Sequence, residues 1–202
     1  MKTLVVYDSM YGNTARVAAA IGEALGPEGD VQVVPVARAT HELLAGAELL
    51  FVGSPTQRFR PLPSIAALLR GMPRGSLAHV WVVAFDTRIE VAKAHSAVLS
   101  FFVAVLGLSA YASRHIERAL HRAGGGQTVC CGEGFFVEGM EGPLVAGELE
   151  RAAEWARRVA AKARACAAAE VSAPCAEPPA GARRGVADPA ERAGGPRRPA
   201  PN

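Results

Sequence analysis

The sequence predicts a doubly wound α/β fold, a five-stranded parallel sheet in the order 2-1-3-4-5 with helices on both faces. Three observations carry this. Short apolar runs recur without polar alternation, as strands buried on both faces do. Segments with helical spacing of apolar residues lie between them. Glycine and proline punctuate the joints. Alternating strands and helices with right-handed crossovers leave few other arrangements.

Leu4-Val5-Val6-Tyr7 forms the first run. After the polar turn Asp8 to Thr14, Val17, Ile21, Ala24 and Leu25 make one helical stripe, which Gly26-Pro27 closes. Val31 to Val36 is the second strand, and a short helix begins at His41 to Leu44. Leu49 to Val52 is the third, broken by Gly53-Ser54-Pro55-Thr56. Pro61 and Pro63 keep the next loop extended until a helix starts near Ser64. Val80 to Phe85 is the fourth and clearest strand, with Trp81 in the core. A helix over Tyr111 to Ala123 ends at Gly124-Gly125-Gly126. Thr128 to Val137 reads as a fifth strand interrupted by Gly132-Glu133-Gly134. The last helix is expected to open at Gly142-Pro143, carry Trp155 in its packing and run to about Cys166.

From Ala167 to Asn202 there is no aromatic residue, Leu, Ile or Met, and Ala, Pro, Arg and Gly dominate. Such a stretch buries too little apolar area to offset ordering entropy of ~1–2 kcal/mol per residue. The expected organisation is one domain over residues 1–166 and a disordered tail over 167–202.

Half of the 202 residues are hydrophobic, enough for a core of its own. Lys+Arg 22 against Asp+Glu 19 leaves a net charge of +3, too mild for a nucleic-acid binder. Cys130, Cys131, Cys166 and Cys175 show no C-x-x-C spacing, which argues against zinc and against a disulfide scaffold. The adjacent pair Cys130-Cys131 reads as buried and inert rather than as a redox couple. His95, His115 and His121 share no ligand spacing. The N-terminal apolar run stops at Asp8, too soon for a secretion signal, so a cytoplasmic protein is expected. The run Ala97 to Leu108 falls short of the ~20 apolar residues of a membrane helix. Apolar all round, residues 97–108 read instead as the seam of a homodimer, with a lid over the crevice as the rival.

In the predicted strand order a ligand sits at the carboxyl ends of the strands, beside strand one. Ser9-Met10-Tyr11-Gly12-Asn13-Thr14 lies there, between a buried strand and a helix N-terminus that favours an anion. Ser9 and Thr14 offer hydroxyls, and Gly12 allows close backbone approach. Without Lys or Arg the loop is no Walker A motif, and it lacks G-x-G-x-x-G. A phosphate monoester on a neutral cradle fits it; the plainer reading is that Ser9 and Thr14 cap the helix.

The stretch Val5 to Thr14 resembles the phosphate-binding loop of the flavodoxin superfamily, and its Ser-Met-Tyr-Gly core is similar to that of the flavodoxin-like quinone reductases. Gly53-Ser54-Pro55-Thr56-Gln57 resembles the superfamily's second flavin loop, and Glu138 to Leu144 a stretch of some bacterial members. The resemblance implies FMN, with phosphate on Ser9 to Thr14 and the isoalloxazine between loops beginning at Pro55 and Phe85. Cofactor contacts are then expected from Ser9, Met10, Tyr11, Gly12, Asn13, Thr14, Pro55, Thr56, Gln57, Phe59, Phe85, Asp86, Thr87 and Arg88. Where flavodoxins usually present Gly and an aromatic after strand four, this chain has Phe85-Asp86-Thr87-Arg88. Phe85 or Phe59 could stack on the flavin. Asp86 beside it would oppose a reduced anionic flavin and Arg88 would favour one, unless the two pair locally. For Glu138 to Leu144 the physical reading is a tight approach into the last helix, with acids near its positive end. The expected function is electron transfer or NAD(P)H/quinone-type reduction with a redox partner or small-molecule acceptor. The alternative is a flavodoxin fold with a degenerate flavin site serving as an interaction or regulatory module.

Overall fold

The computed structural model describes residues 1–89, 111–124 and 127–172. Strands β1 (Thr3–Tyr7), β2 (Val31–Pro35), β3 (Leu49–Pro55) and β4 (Trp81–Ile89) stand side by side in the order β2-β1-β3-β4. The fifth position is shared by β5 (Gln127–Thr128) and β6 (Glu133–Val137), both parallel to β4. The expected order 2-1-3-4-5 is the one observed, and the predicted interruption of the last strand is the gap between β5 and β6.

Helices α1 (Asn13–Leu25), α2 (His41–Ala45), α3 (Pro63–Gly71), α4 (Ala112–Arg122) and α5 (Glu148–Ser172) supply the crossovers. The period of two along the strands divides the core. Val5, Phe51, Val83 and Phe85 face α1 and α5, whereas Leu4, Val6, Leu50, Val52 and Val82 face α3 and α4. Both sets are apolar, which is why no polar alternation marks these strands. On the α5 side Trp155 meets Phe51 edge-on at 5.5 Å and Phe135 at 5.8 Å, while Phe85 lies 6.4 Å from both Phe135 and Trp155. Trp81 is buried in β4, as expected.

Three boundaries differ from the sequence reading. Strand β3 continues through Gly53, Ser54 and Pro55, and β4 through Asp86, Thr87, Arg88 and Ile89, because the two keep pairing as far as Pro55↔Thr87. Beyond that, β6 pairs β4 from Phe85 to Ile89. Gly142-Pro143 does not open a helix: the Pro143 carbonyl accepts the Glu138 N–H, Leu144 bridges Val137, and α5 starts at Glu148. Thus Glu138 and Glu141 precede the helix, and Glu148 and Glu150 are the acids in its first turn. At its other end α5 runs past Cys166 to Ser172. The 97–108 run and residues 173–202 lie outside the described residues.

The cysteine reading is corrected as well. Cys130 is half-buried and Cys131 exposed, since both fall in the gap between β5 and β6 rather than inside a strand. Among the described residues no helix is long and apolar enough to cross a membrane, and no cluster of His, Cys, Asp and Glu could hold a metal.

Candidate functional site

At the carboxyl ends of the strands the loop after β1, the turn after β3 and the tip of β4 enclose a cleft of about 360 Å³. That volume lies in the range of small-molecule sites. Ser9, Met10, Tyr11, Asn13 and Thr14 form one wall, Pro55, Thr56 and Gln57 the second, and Thr87 and Arg88 the third. These ten are all predicted site residues. Gly12 sits within the first loop, at φ +85°.

Helix α1 begins at Gly12 with no side chain capping it and no acid in its first turn. The capping reading of Ser9 and Thr14 therefore fails. Thr14 Oγ1 is instead hydrogen-bonded to Thr87 Oγ1 at 2.8 Å, tying the loop to β4. Asn13 Nδ2 donates to the Glu141 carbonyl at 2.8 Å. Ser9 Oγ is buried and has no hydrogen-bond partner among the described residues. A buried hydroxyl without a partner forfeits ~1–3 kcal/mol, so it marks a place where a ligand oxygen belongs. With the first N–H groups of α1 beside it, the cradle suits an anion.

The second wall is held from several directions. Thr56 N donates to the Thr87 carbonyl, and Thr56 Oγ1 accepts from Ala112 N at 3.0 Å. Ser54 Oγ accepts from Leu62 N at 2.8 Å, closing the base of the loop. Gln57 and Arg60 exchange two backbone bonds of 2.9 Å around Arg58 and Phe59, both at positive φ (47° and 64°). That is a two-residue hairpin of the kind normally built from Asn-Gly, here made by residues with a Cβ. Each left-handed residue costs ~1–2 kcal/mol, strain of a sort that gathers at working sites. Arg58, which the sequence reading passed over, reaches the cleft this way.

Two predicted residues are corrected outright. Phe85 is fully buried under Trp155 and Phe135, so its ring is unavailable to a flavin. Asp86 is also fully buried and faces away from the cleft. Its Oδ1 lies 2.6 Å from Arg88 Nε and its Oδ2 accepts from Arg88 Nη2 and Ser113 N at 3.0 Å. The local-pair reading of Asp86 and Arg88 is therefore the observed one, along a strand rather than in a turn. Burial pushes the Asp86 carboxyl above the usual carboxylate range, against the pull of Arg88 and the Ser113 hydrogen bond. Phe59 is half-buried at the hairpin and does not line the cleft. Tyr11, 45% exposed, is the one aromatic ring on the cleft wall among the described residues.

Ile89, Val137 and Met140 also line the cleft and were not foreseen. Met140, 73% exposed, arrives through the Asn13–Glu141 bond, which spans 128 residues of sequence. The sequence flagged its surroundings, Glu138 to Leu144, as an approach to the last helix and not as part of the cleft.

No family model matches the sequence, and no curated protein does. Solved structures do. A flavodoxin from the domain Archaea is 22% identical, with 81% of this chain on 99% of that one and a TM-score of 0.56. Flavodoxin 2 of Bacillus cereus is 20% identical, with 80% on 99% and a TM-score of 0.58. The rubredoxin oxygen:oxidoreductase of Desulfovibrio gigas is 20% identical; 85% of this chain covers 37% of it, with a TM-score of 0.60. The chain has the flavodoxin-like fold. Its cleft lies where that fold places a ligand, at the switch beside β1.

Proposed function

We propose that this flavodoxin-like chain binds FMN in the cleft and acts in electron transfer or quinone-type reduction. The observation that carries the reading is the partnerless, buried Ser9 hydroxyl at an uncapped helix N-terminus, in a loop of flavodoxin-like sequence. Ser9 and the first N–H groups of α1 would hold the phosphate. Pro55 to Gln57 and Thr87 to Ile89 would flank the ring, with Tyr11, Met10 and Met140 excluding water from it. When bound, FMN supplies the redox chemistry, taking up and releasing electrons. The protein's part is to bind, orient and tune. Arg58 and Arg88 are the cations among the described residues that line the cleft, and Arg88 is paired with Asp86. No acid, base or nucleophile of the chain is needed.

Incubation of the purified protein with excess FMN, followed by removal of free flavin, tests this. Bound flavin should show as retained visible absorbance and quenched fluorescence. A colourless protein would sink the reading.

A further inference from the structure

The face formed by α3 and α4 carries a continuous line of arginines that starts at the mouth of the cleft. Arg58 lines the cleft, and Arg60 closes the same hairpin. Arg60 and Arg118 both stand close to the His115 ring. Arg122 follows one helical turn on, its Nε donating to the Arg118 carbonyl at 3.2 Å. With Arg70 and Arg74 it rims a groove whose floor is Leu69, Met72, Ala119 and Ala123. All six arginines are exposed, and none has an ion-pair partner among the described residues. The one acid on α4, Glu117, is buried against Arg114 and the Gly132 N–H. The opposite face is mixed in sign: on α5, Arg158 lies beside Glu154, and Arg157 shares a groove with Glu23 and Glu150.

We infer that this arginine face is the docking surface for an acidic redox protein, which it seats over the mouth of the cleft. The inference rests on the flavin reading for the word redox, and on charge and shape for the rest. Guanidinium forks pair with carboxylates in two-point contacts, and an apolar floor between them suits a protein side chain. Along α3 and α4 there is no stacking platform for bases: the exposed large hydrophobics among the described residues are Met10, Tyr11, Val33 and Met140, none of them on either helix. Like charges gathered on one side also steer an oppositely charged partner to that side.

The test uses the full chain, with and without added FMN, and a small, strongly acidic iron–sulfur protein carrying a fluorescent label. Anisotropy reads binding at low salt and at about 0.3 M salt, where the screening length falls well below 10 Å. Binding should weaken at least tenfold with salt, and at least tenfold at low salt in Arg118→Glu/Arg122→Glu, with melting temperature and FMN uptake unchanged. Arg157→Glu/Arg158→Glu, an equal change on α5, should leave it intact. Equal losses in both variants would mean that binding follows net charge alone, and would overturn the assignment. So would tighter, Arg118- and Arg122-dependent binding of a single-stranded oligothymidylate or of anionic vesicles. Absence of FMN uptake with arginine-dependent binding intact upholds the surface and defeats the flavin reading. FMN uptake without such binding does the reverse.

Discussion

The ring of Phe85 lies over Gly53, its partner across the β3–β4 ladder, so closely that a Cβ on Gly53 would fall 2.1 Å from Phe85 Cζ. The two residues explain each other. Gly53 has no side chain because the ring needs its place, and Phe85 turns into the core because the glycine lets it.

Gly53→Ala should therefore destabilise the fold by ~1–3 kcal/mol or more through overpacking. In Gly53→Ala/Phe85→Leu the smaller side chain should recover part of that loss. Urea unfolding of the two single variants and the double gives the coupling. Strict additivity would show that the ring does not occupy the glycine's space.

The fold was legible because strands buried on both faces leave an unbroken apolar signature, as in Leu49 to Val52 and Val80 to Phe85. The strand ends were not. Asp86 looks like a loop residue because a buried carboxylate is costly; one partner that offsets it, Arg88, is local, but the other, the N–H of Ser113, is 27 residues away. Arg88 in turn needs a glycine beside it, since a Cβ on Gly134 would lie 2.0 Å from its Nη2. The first wall of the site could be read from Ser9 to Thr14, since strand, turn and helix start are contiguous there. Met140 and Val137 could not, because their place depends on a pairing between Val137 and Leu144 and on the long-range bond from Asn13.

Ser9→Ala should have opposite effects on stability and on binding. Without ligand the Ser9 hydroxyl is buried and unpaired, so its removal should leave the protein as stable or slightly more so. FMN binding should weaken by ~1–3 kcal/mol, and further in Ser9→Ala/Thr14→Ala. Riboflavin, lacking the phosphate, should respond much less to either change. Calorimetric titration with both flavins reads this; equal losses for the two would move the phosphate away from Ser9.

Removing one member of the Asp86–Arg88 pair should be worse than removing both. Asp86→Asn leaves the Arg88 guanidinium, whose side chain is 11% exposed, without its counter-charge. Asn no longer bears the desolvation that burdens the Asp86 carboxylate, so the net loss should stay below the ~3–5 kcal/mol of a buried pair broken without such relief. The stacking of the guanidinium on Tyr111, 3.7 Å from the ring centre, would remain. Asp86→Asn/Arg88→Gln should cost less than Asp86→Asn alone, because no charge remains buried. Burial also holds the Asp86 pKa above its unfolded value, so the native state binds the extra proton. Stability from this group is thus greatest in acid and falls as pH rises past ~4, the ordinary range of the unfolded carboxyl. Chemical unfolding of the three proteins across pH checks both statements.

His115 should set a dependence of the opposite sign. Its pKa is lowered by burial, then by Arg118 and Arg60, while a hydrogen bond to the Phe59 backbone pulls the other way. With the native value below the unfolded one, the unfolded chain takes up its proton first as pH falls. Stability from this residue is therefore complete above ~6.5 and declines as pH drops through that value towards the native pKa. The strained hairpin at Arg58 and Phe59 is the element the charged ring would disturb, since Arg60 belongs to it. His115→Gln should flatten the fall in the urea midpoint below about pH 6.5 and leave the midpoint at pH 8 nearly unchanged. Parallel curves for wild type and variant would remove His115 as the source.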